Sequence, residues 1–338
     1  MPKRNLAEWY YQLEEDYDEQ YLPASIRRQK LPKWPLHPEP EVVEQQDGNE
    51  SFDFTYPASR FERTWLLESL GSFYYHRWID DVLRIVKGGK EATVYLCQGA
   101  AAVDHKLVAA KVYRPRRIRN LKNDHLYREG RQDLDADGHP VIDDGRLHAM
   151  RKKTSYGMEL LHTSWIEHEV AALKLLHAAG ADVPKAYESD SNAILMTYIG
   201  DETLSAPTLN TIRLERDEAQ PLFERVARNI EIMLAHGKVH GDLSAYNILY
   251  WDGEITLIDF PQVISPEENR SAFRIFERDV TRVCEYFTRQ GVPTRPRRLA
   301  ADLWTAYHYR MIPEVHPALL DDQDEQDVAY WKSINQQS

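Results

Sequence analysis

At 338 residues and 42% hydrophobic content, the chain can hold one two-lobed domain or two ordinary ones, with 19 tyrosines and 8 tryptophans toward its core. A formal net charge of −12 excludes nucleic-acid binding driven by overall charge and leaves any such contact to local basic patches. Cys97 and Cys284 stand far apart and outside any Cys/His cluster, which argues against a disulfide framework and a zinc site; without an apolar signal core or a membrane-length apolar run, the reading is a cytoplasmic protein with no membrane contact.

Leu6, Trp9, Tyr10, Leu13 and Tyr17 recur at helical spacing and predict a short amphipathic helix, docked on its own domain or offered to a partner. Residues 31–57, rich in Pro and Glu, read as a mobile linker. Phe61, Trp65, Leu66 and Leu70 predict a helix over 60–75, stopped near Gly71. Two β-rich arms then flank Gly88-Gly89 in I-V-K-G-G-K-E-A-T-V-Y-L-C, and backbone amides in such a turn can approach phosphates. Residues 107–113, L-V-A-A-K-V-Y, predict a strand with Lys111 in its apolar middle. A cation there needs a partner to offset its desolvation, and phosphates and a helix carboxylate would serve.

Residues 114–163 read as one long charged loop. It opens with Arg114, Arg116, Arg117 and Arg119 and later carries Arg151-Lys152-Lys153-Thr154-Ser155, two basic clusters able to grip phosphates or RNA. A helix over 164–178, with the stripe Trp165, Ile166, Val170, Leu173 and Leu176, offers Glu169, or Glu167 two positions earlier, as the partner of Lys111. An apolar strand over 193–200 and a long helix over 218–236, ended by Gly237, lead into the most informative stretch.

That stretch, residues 238–262, reads K-V-H-G-D-L-S-A-Y-N-I-L-Y-W-D-G-E-I-T-L-I-D-F-P-Q. Asp242 and Asn247 flank a short loop, Asp252-Gly253 is a hairpin turn signal, and Asp259 closes the β-rich run 255–258. Such a set suits phosphoryl transfer: Asn247 and Asp259 each supply a hard oxygen ligand for Mg²⁺, and Asp242 orients an attacking hydroxyl or takes its proton. His240 reads as a structural hydrogen-bonding residue. After Gln262 the sequence turns straight into a helical pattern within 265–290, with no A-P-E motif and no room for a long activation segment. Asp279, in E-R-D-V, is a candidate brace for the loop. One more helix over 299–309 precedes an acidic end.

H-G-D-L-S-A-Y-N-I-L, L-I-D-F-P-Q-V, G-K-E-A-T-V-Y and A-A-K-V-Y together resemble the RIO family of atypical serine/threonine protein kinases, over about 85–291. Ser244 stands where most Ser/Thr kinases carry Lys, Phe260-Pro261-Gln262 where they carry Phe-Gly, and Gly88 where the family's own pattern has Thr. The winged-helix pattern of one branch of the family is not seen in the N-terminal region. H-G-D-x-x-x-x-N by itself is shared with aminoglycoside-phosphotransferase-like kinases, which keeps a small-molecule kinase as the alternative. A catalytically dead binding module is opposed by the presence of every polar group the chemistry needs.

The resemblance implies an α+β, two-lobed protein kinase-like fold with a small β-rich N-lobe and a helical C-lobe. Its parts would be an N-terminal region over 1–57, an N-lobe over 58–200, a C-lobe over 201–312 and an acidic tail over 313–338. It implies ATP with Mg²⁺ or Mn²⁺, with nucleotide contacts from Lys87, Gly88, Gly89, Lys90, Val94, Lys111, Glu169, Met196, Tyr198 and Ile199. Catalysis would fall to Asp242, Lys111 and Asp259, and metal binding to Asn247 and Asp259. Action as an ATPase switch with autophosphorylation, and a protein substrate or a ribosomal or RNA assembly as partner through the basic clusters, are implied in the same way.

Overall fold

The computed structural model describes residues 52–89, 91–114, 127, 129–190 and 192–310. The expected N-terminal helix, Lys90, Arg116, Arg117, Arg119 and the acidic tail lie outside the described residues. The chain divides into two compact units, one ending at Tyr113 and the other beginning at Arg114.

In the first unit, helix α1 (Arg60–Tyr75) starts where the Ser59 hydroxyl accepts a bond from the Glu62 amide. It buries Trp65, Leu66, Leu70 and Phe73. The expected stop at Gly71 is corrected: the helix runs on to Tyr75. A helical glycine costs only about 1 kcal/mol, and the buried Leu70 and Phe73 on either side outweigh it. The end of the expected linker is corrected too. Phe52 and Phe54 are buried, Phe52 stacks on Tyr74 at 4.5 Å, and the Tyr56 amide donates to the Val82 carbonyl. Three strands follow as an antiparallel meander: β1 (Ile79–Gly88), β2 (Ala92–Gly99) and β3 (Leu107–Tyr113). Its register aligns Lys87 with Val94 and Val94 with Lys111, so three expected nucleotide-site residues form one cross-strand row.

The second unit opens with a correction. Most of residues 144–163 is helical, not loop: α2 (Asp144–Lys152) is followed by α3 (Ser155–Ala178), which starts nine residues before the expected 164. Both starts are capped, Asp143 accepting from the Arg146 amide and Thr154 from the Gly157 amide. Between the helices Lys153 takes a left-handed φ of 52°. Gly157 lets α3 approach α2 closely, because a Cβ there would collide with the Ala149 carbonyl. The hairpin β4 (Ala186–Asp190) and β5 (Ala193–Thr197) comes next, then α4 (Arg216–Ala235). A second hairpin, β6 (Ile248–Trp251) and β7 (Glu254–Leu257), turns on Asp252 and Gly253 at φ 49° and 79°, as a two-residue turn requires. Finally α5 (Ala272–Arg289) packs on α6 (Pro296–Arg310). Among the described residues no helix is long and apolar enough to cross a membrane.

One polar cluster fixes the second hairpin. The Asp182 carboxylate accepts two bonds from Arg225 (2.7 and 2.8 Å) and one from Asn229 (2.7 Å), while its carbonyl accepts from the Leu257 amide at 2.8 Å. The α3–β4 connection, α4 and β7 are thereby tied together, two residues before Asp259. Burial works against this charge, but Arg225 and Asn229 outweigh it and hold the carboxyl below its ordinary 3.8. A depressed folded value means the stabilisation is present above the unfolded pKa and is lost as pH falls through the folded one. Asp182→Ala is therefore expected to lose roughly 2 kcal/mol at pH 7, the partial exposure of the pair discounting it from the buried-pair range. Urea titrations across pH check this: the gap to wild type should close below about pH 4.

Candidate active site

The loop that carries Asp242 is held from beneath by two adjacent residues of α5. Asp279 is 2% exposed, a carboxylate in the middle of the apolar stripe Ile275, Phe276, Val280 and Val283. Its Oδ2 accepts from the Gly241 amide at 2.9 Å. Burial pushes the Asp279 carboxyl up, and the Arg278 guanidinium beside it pulls it partly back. Arg278 donates to the next peptide along, at the Gly241 carbonyl, and to Asp279 Oδ1 and the Tyr127 hydroxyl. The expected brace is thus in place, and both polar groups of Gly241 are fixed.

Gly241 could be no other residue without strain. Its φ is +86°, and a Cβ would run into the backbone of Gln262. Next to it, Val239 and Ile264 exchange two backbone bonds at 2.9 Å. The stretch after Asp259 therefore lies directly on the stretch before Asp242. From Gln262 the chain reaches α5 at Ala272, so no long activation segment intervenes.

His240 plays the expected structural part. It is buried, its Nδ1 accepts from the Asp242 amide (3.3 Å), and its Nε2 donates to the Ile258 carbonyl (3.1 Å), which places the ring hydrogen on Nε2. Asn247 Nδ2 donates to the Asp242 carbonyl at 2.9 Å, closing the loop on itself and leaving Oδ1 for a cation. The Asn247 carbonyl accepts from the Ile258 amide at 3.0 Å, which sets Asp259 beside the loop. Asp259 has a left-handed φ of 73°, costly for a residue with a Cβ and held here from both sides. The next amide, Phe260, donates to Glu169 Oε1 at 3.3 Å.

That last bond distinguishes the two glutamates of α3. Glu169 is 1% exposed and belongs with the Asp259 segment. Glu167 instead faces β4, where Ser189 bonds it and burial pushes its carboxyl up. Asn247 and Asp259 form a donor set of hard oxygens, which fits Mg²⁺ or Mn²⁺.

The remaining expected residues are distributed between the units. Lys111, half-buried with Nζ 5.1 Å from the Tyr113 ring centre, lies in the first unit with Lys87, Gly88, Gly89 and Val94. Gly89 forms the turn, its amide donating to the Ala92 carbonyl at 2.9 Å, while Gly88 has open space where a Cβ would be. Met196, Tyr198 and Ile199 lie in the second. Met196 is buried opposite Ala186, the Tyr198 hydroxyl bonds Leu204 and Ser205, and the Ile199 carbonyl already accepts from Ala206.

Sequence reasoning missed three contributors. Arg278 holds the Gly241 carbonyl, Arg131 donates to the Pro261 carbonyl at 3.4 Å, and Arg282 Nη1 lies 2.7 Å from Asp242 Oδ1. The signal for Arg282 was its place three residues after Asp279, on the same helix face. An exposed turn also gathers Asp135, Asp137 and His139, but the Asp135 carboxylate is committed to the amides of Asp137 and His139.

A family model described as the RIO domain matches residues 94–299. The chain is similar to the serine/threonine-protein kinase RIO1 of Chaetomium thermophilum, 31% identical over 68% of this chain and 43% of that protein. It is also similar to the RIO-type serine/threonine-protein kinase Rio1 of Haloferax volcanii, 30% identical over 61% of this chain and 63% of that one. The chain thus spans less than two thirds of the length of these relatives.

Gly241→Ala is expected to lower unfolding free energy by about 2–4 kcal/mol, combining a positive-φ penalty with a backbone collision. Denaturant unfolding checks it, and wild-type stability would show that Gln262 does not rest on the loop.

Proposed function

The chain belongs to the RIO family, with an α+β kinase-like fold, and from that premise we propose that it is an ATP-dependent serine/threonine protein kinase acting mainly as a slow ATPase switch. The carrying observation is the Asp242–Asn247–Asp259 set, held on one loop and one strand end by Arg278 and Asp279. Phosphoryl transfer needs little covalent chemistry from the protein and much positioning, so a carboxylate fixed beside hard oxygen donors is the main requirement.

In this reading Lys111 holds the phosphates and Glu169 orients Lys111. The Lys87–Gly88–Gly89 turn with Lys90 covers the phosphates, and Val94, Met196 and the backbone around Tyr198 and Ile199 receive the adenine. A divalent cation, Mg²⁺ or Mn²⁺, held by Asn247 and Asp259, would neutralise charge on the phosphate oxygens. A hydroxyl oxygen bonds the γ-phosphorus, the bridging P–O bond breaks, ADP leaves, and the hydroxyl proton passes to Asp242.

The short path from Gln262 to Ala272 supports the switch. With no long segment to hold a peptide, water or the Asp259 carboxylate is the better-placed acceptor, and an aspartyl-phosphate formed there would be hydrolysed by water. The basic run Arg151-Lys152-Lys153, at the end of α2 and into its cap, is the described surface suited to a protein substrate or a ribosomal RNA partner in the cytoplasm.

Asp242→Ala should cut ATP turnover by about 10²–10⁴ with ATP affinity largely kept. Lys111→Ala should abolish turnover in a folded protein, and Asp259→Asn should remove both metal binding and any acyl-phosphate. Acid-quenched, radiolabelled protein treated with hydroxylamine reads this out, because hydroxylamine cleaves acyl-phosphates and spares phosphoserine. Wholly resistant label, together with rapid multiple-turnover phosphorylation of a protein substrate, would contradict the switch and leave a conventional kinase.

A further inference from the structure

Arg282 is the one charged side chain that the structure places on the Asp242 carboxylate among the described residues. It comes from the middle of α5, three residues beyond Asp279. Its Nη1 lies 2.7 Å from Asp242 Oδ1, and the two side chains stay 41% and 45% exposed, so a substrate can reach both. The neighbouring Arg278 differs: three of its nitrogens are spent on Tyr127, Gly241 and Asp279. A guanidinium has five N–H donors, and Asp242 occupies one of those on Arg282.

The loop supplies no cation of its own beside Asp242. Two residues after it stands Ser244, whose hydroxyl accepts from the Tyr246 amide at 3.4 Å and so caps the next turn. Yet negative charge spreads over the equatorial oxygens of a phosphoryl group in flight, and donors aimed at that charge lower the barrier most. A planar guanidinium also binds carboxylate and phosphate oxygens side by side, which a lysine ammonium does not do with comparable geometry.

We propose that Arg282 takes a direct part in phosphoryl transfer: it holds the Asp242 carboxylate through Nη1 and presents its other N–H donors to the transferred phosphoryl group. This deepens the proposed kinase reading and rests on it. The cation that most Ser/Thr kinases carry inside the catalytic loop is here delivered from the helix that braces the loop.

The test is steady-state ATP turnover by the full chain with Arg282→Ala, Arg282→Lys and, as a control, Arg274→Ala, an exposed arginine on the same helix. Arg282→Ala should lower kcat about 10²-fold while the KM for ATP stays within about twofold and the melting temperature is unchanged. Arg282→Lys should recover part of the rate, added guanidinium chloride at low millimolar concentration should recover part of the alanine variant's, and Arg274→Ala should match wild type. A kcat for Arg282→Ala within about twofold of wild type would overturn the inference, as would a kcat loss matched by equal losses in ATP affinity and melting temperature. An active wild type with an indifferent Arg282→Ala variant refutes this inference alone, whereas a wild type that binds ATP and never turns it over refutes the kinase reading and the inference together.

Discussion

Two neighbouring residues on α5 grip the two peptide units that meet at Gly241: Asp279 accepts from the Gly241 amide and Arg278 donates to the Gly241 carbonyl. Placing a carboxylate in an apolar stripe costs several kcal/mol unless it is paired and hydrogen-bonded. Here the offset comes from the backbone of the loop itself, through the Gly241 amide, and from Arg278. The fold's burial of α5 and the shape of the Asp242 loop are therefore one interaction. If α5 docks, Asp279 must find that amide, and the loop that presents it is fixed immediately before Asp242.

Rigidity then passes outward. His240 carries it to the Ile258 carbonyl, Asn247 to the Ile258 amide, and Asp182 to the Leu257 amide, so the exit of β7 is held from three directions. This is what lets Asp259 keep a left-handed backbone at the place where a divalent cation would need its carboxylate. The Val239–Ile264 pairing closes the loop against the chain that follows Asp259. Such a site is well built for an acceptor that needs no large docking surface, which joins the local packing to the switch-like activity proposed for it.

What the sequence disclosed was local. A lysine in a seven-residue apolar strand marked β3 to the residue, and Asp252-Gly253 marked the hairpin. Asp279 could be suspected because a charge at a buried helical spacing must have a partner. Less was legible wherever the deciding contact came from elsewhere in the chain. Composition called 114–163 a loop because its polar residues hide the period, yet caps at Asp143 and Thr154, and a glycine that admits a close crossing, make most of its second half helical. Phe52 and Phe54 looked like linker until α1 gave them a surface to cover. Likewise Glu167 and Glu169 are equivalent as spacing and separate only when β4 takes one and the Phe260 amide the other.

The central claim is that one loop and one strand end, braced by Arg278 and Asp279, form a metal–nucleotide site. A crystal structure of the full chain with Mg²⁺ and a non-hydrolysable ATP analogue tests it most directly. The account predicts the cation on Asn247 Oδ1 and an Asp259 carboxylate oxygen at about 2.0–2.1 Å, with phosphate oxygens and waters as its other ligands and Asp242 facing the γ-phosphoryl end without binding the metal. A cation ligated by Asp242 in place of Asn247, or nucleotide phosphates bound away from Asp259, would contradict it.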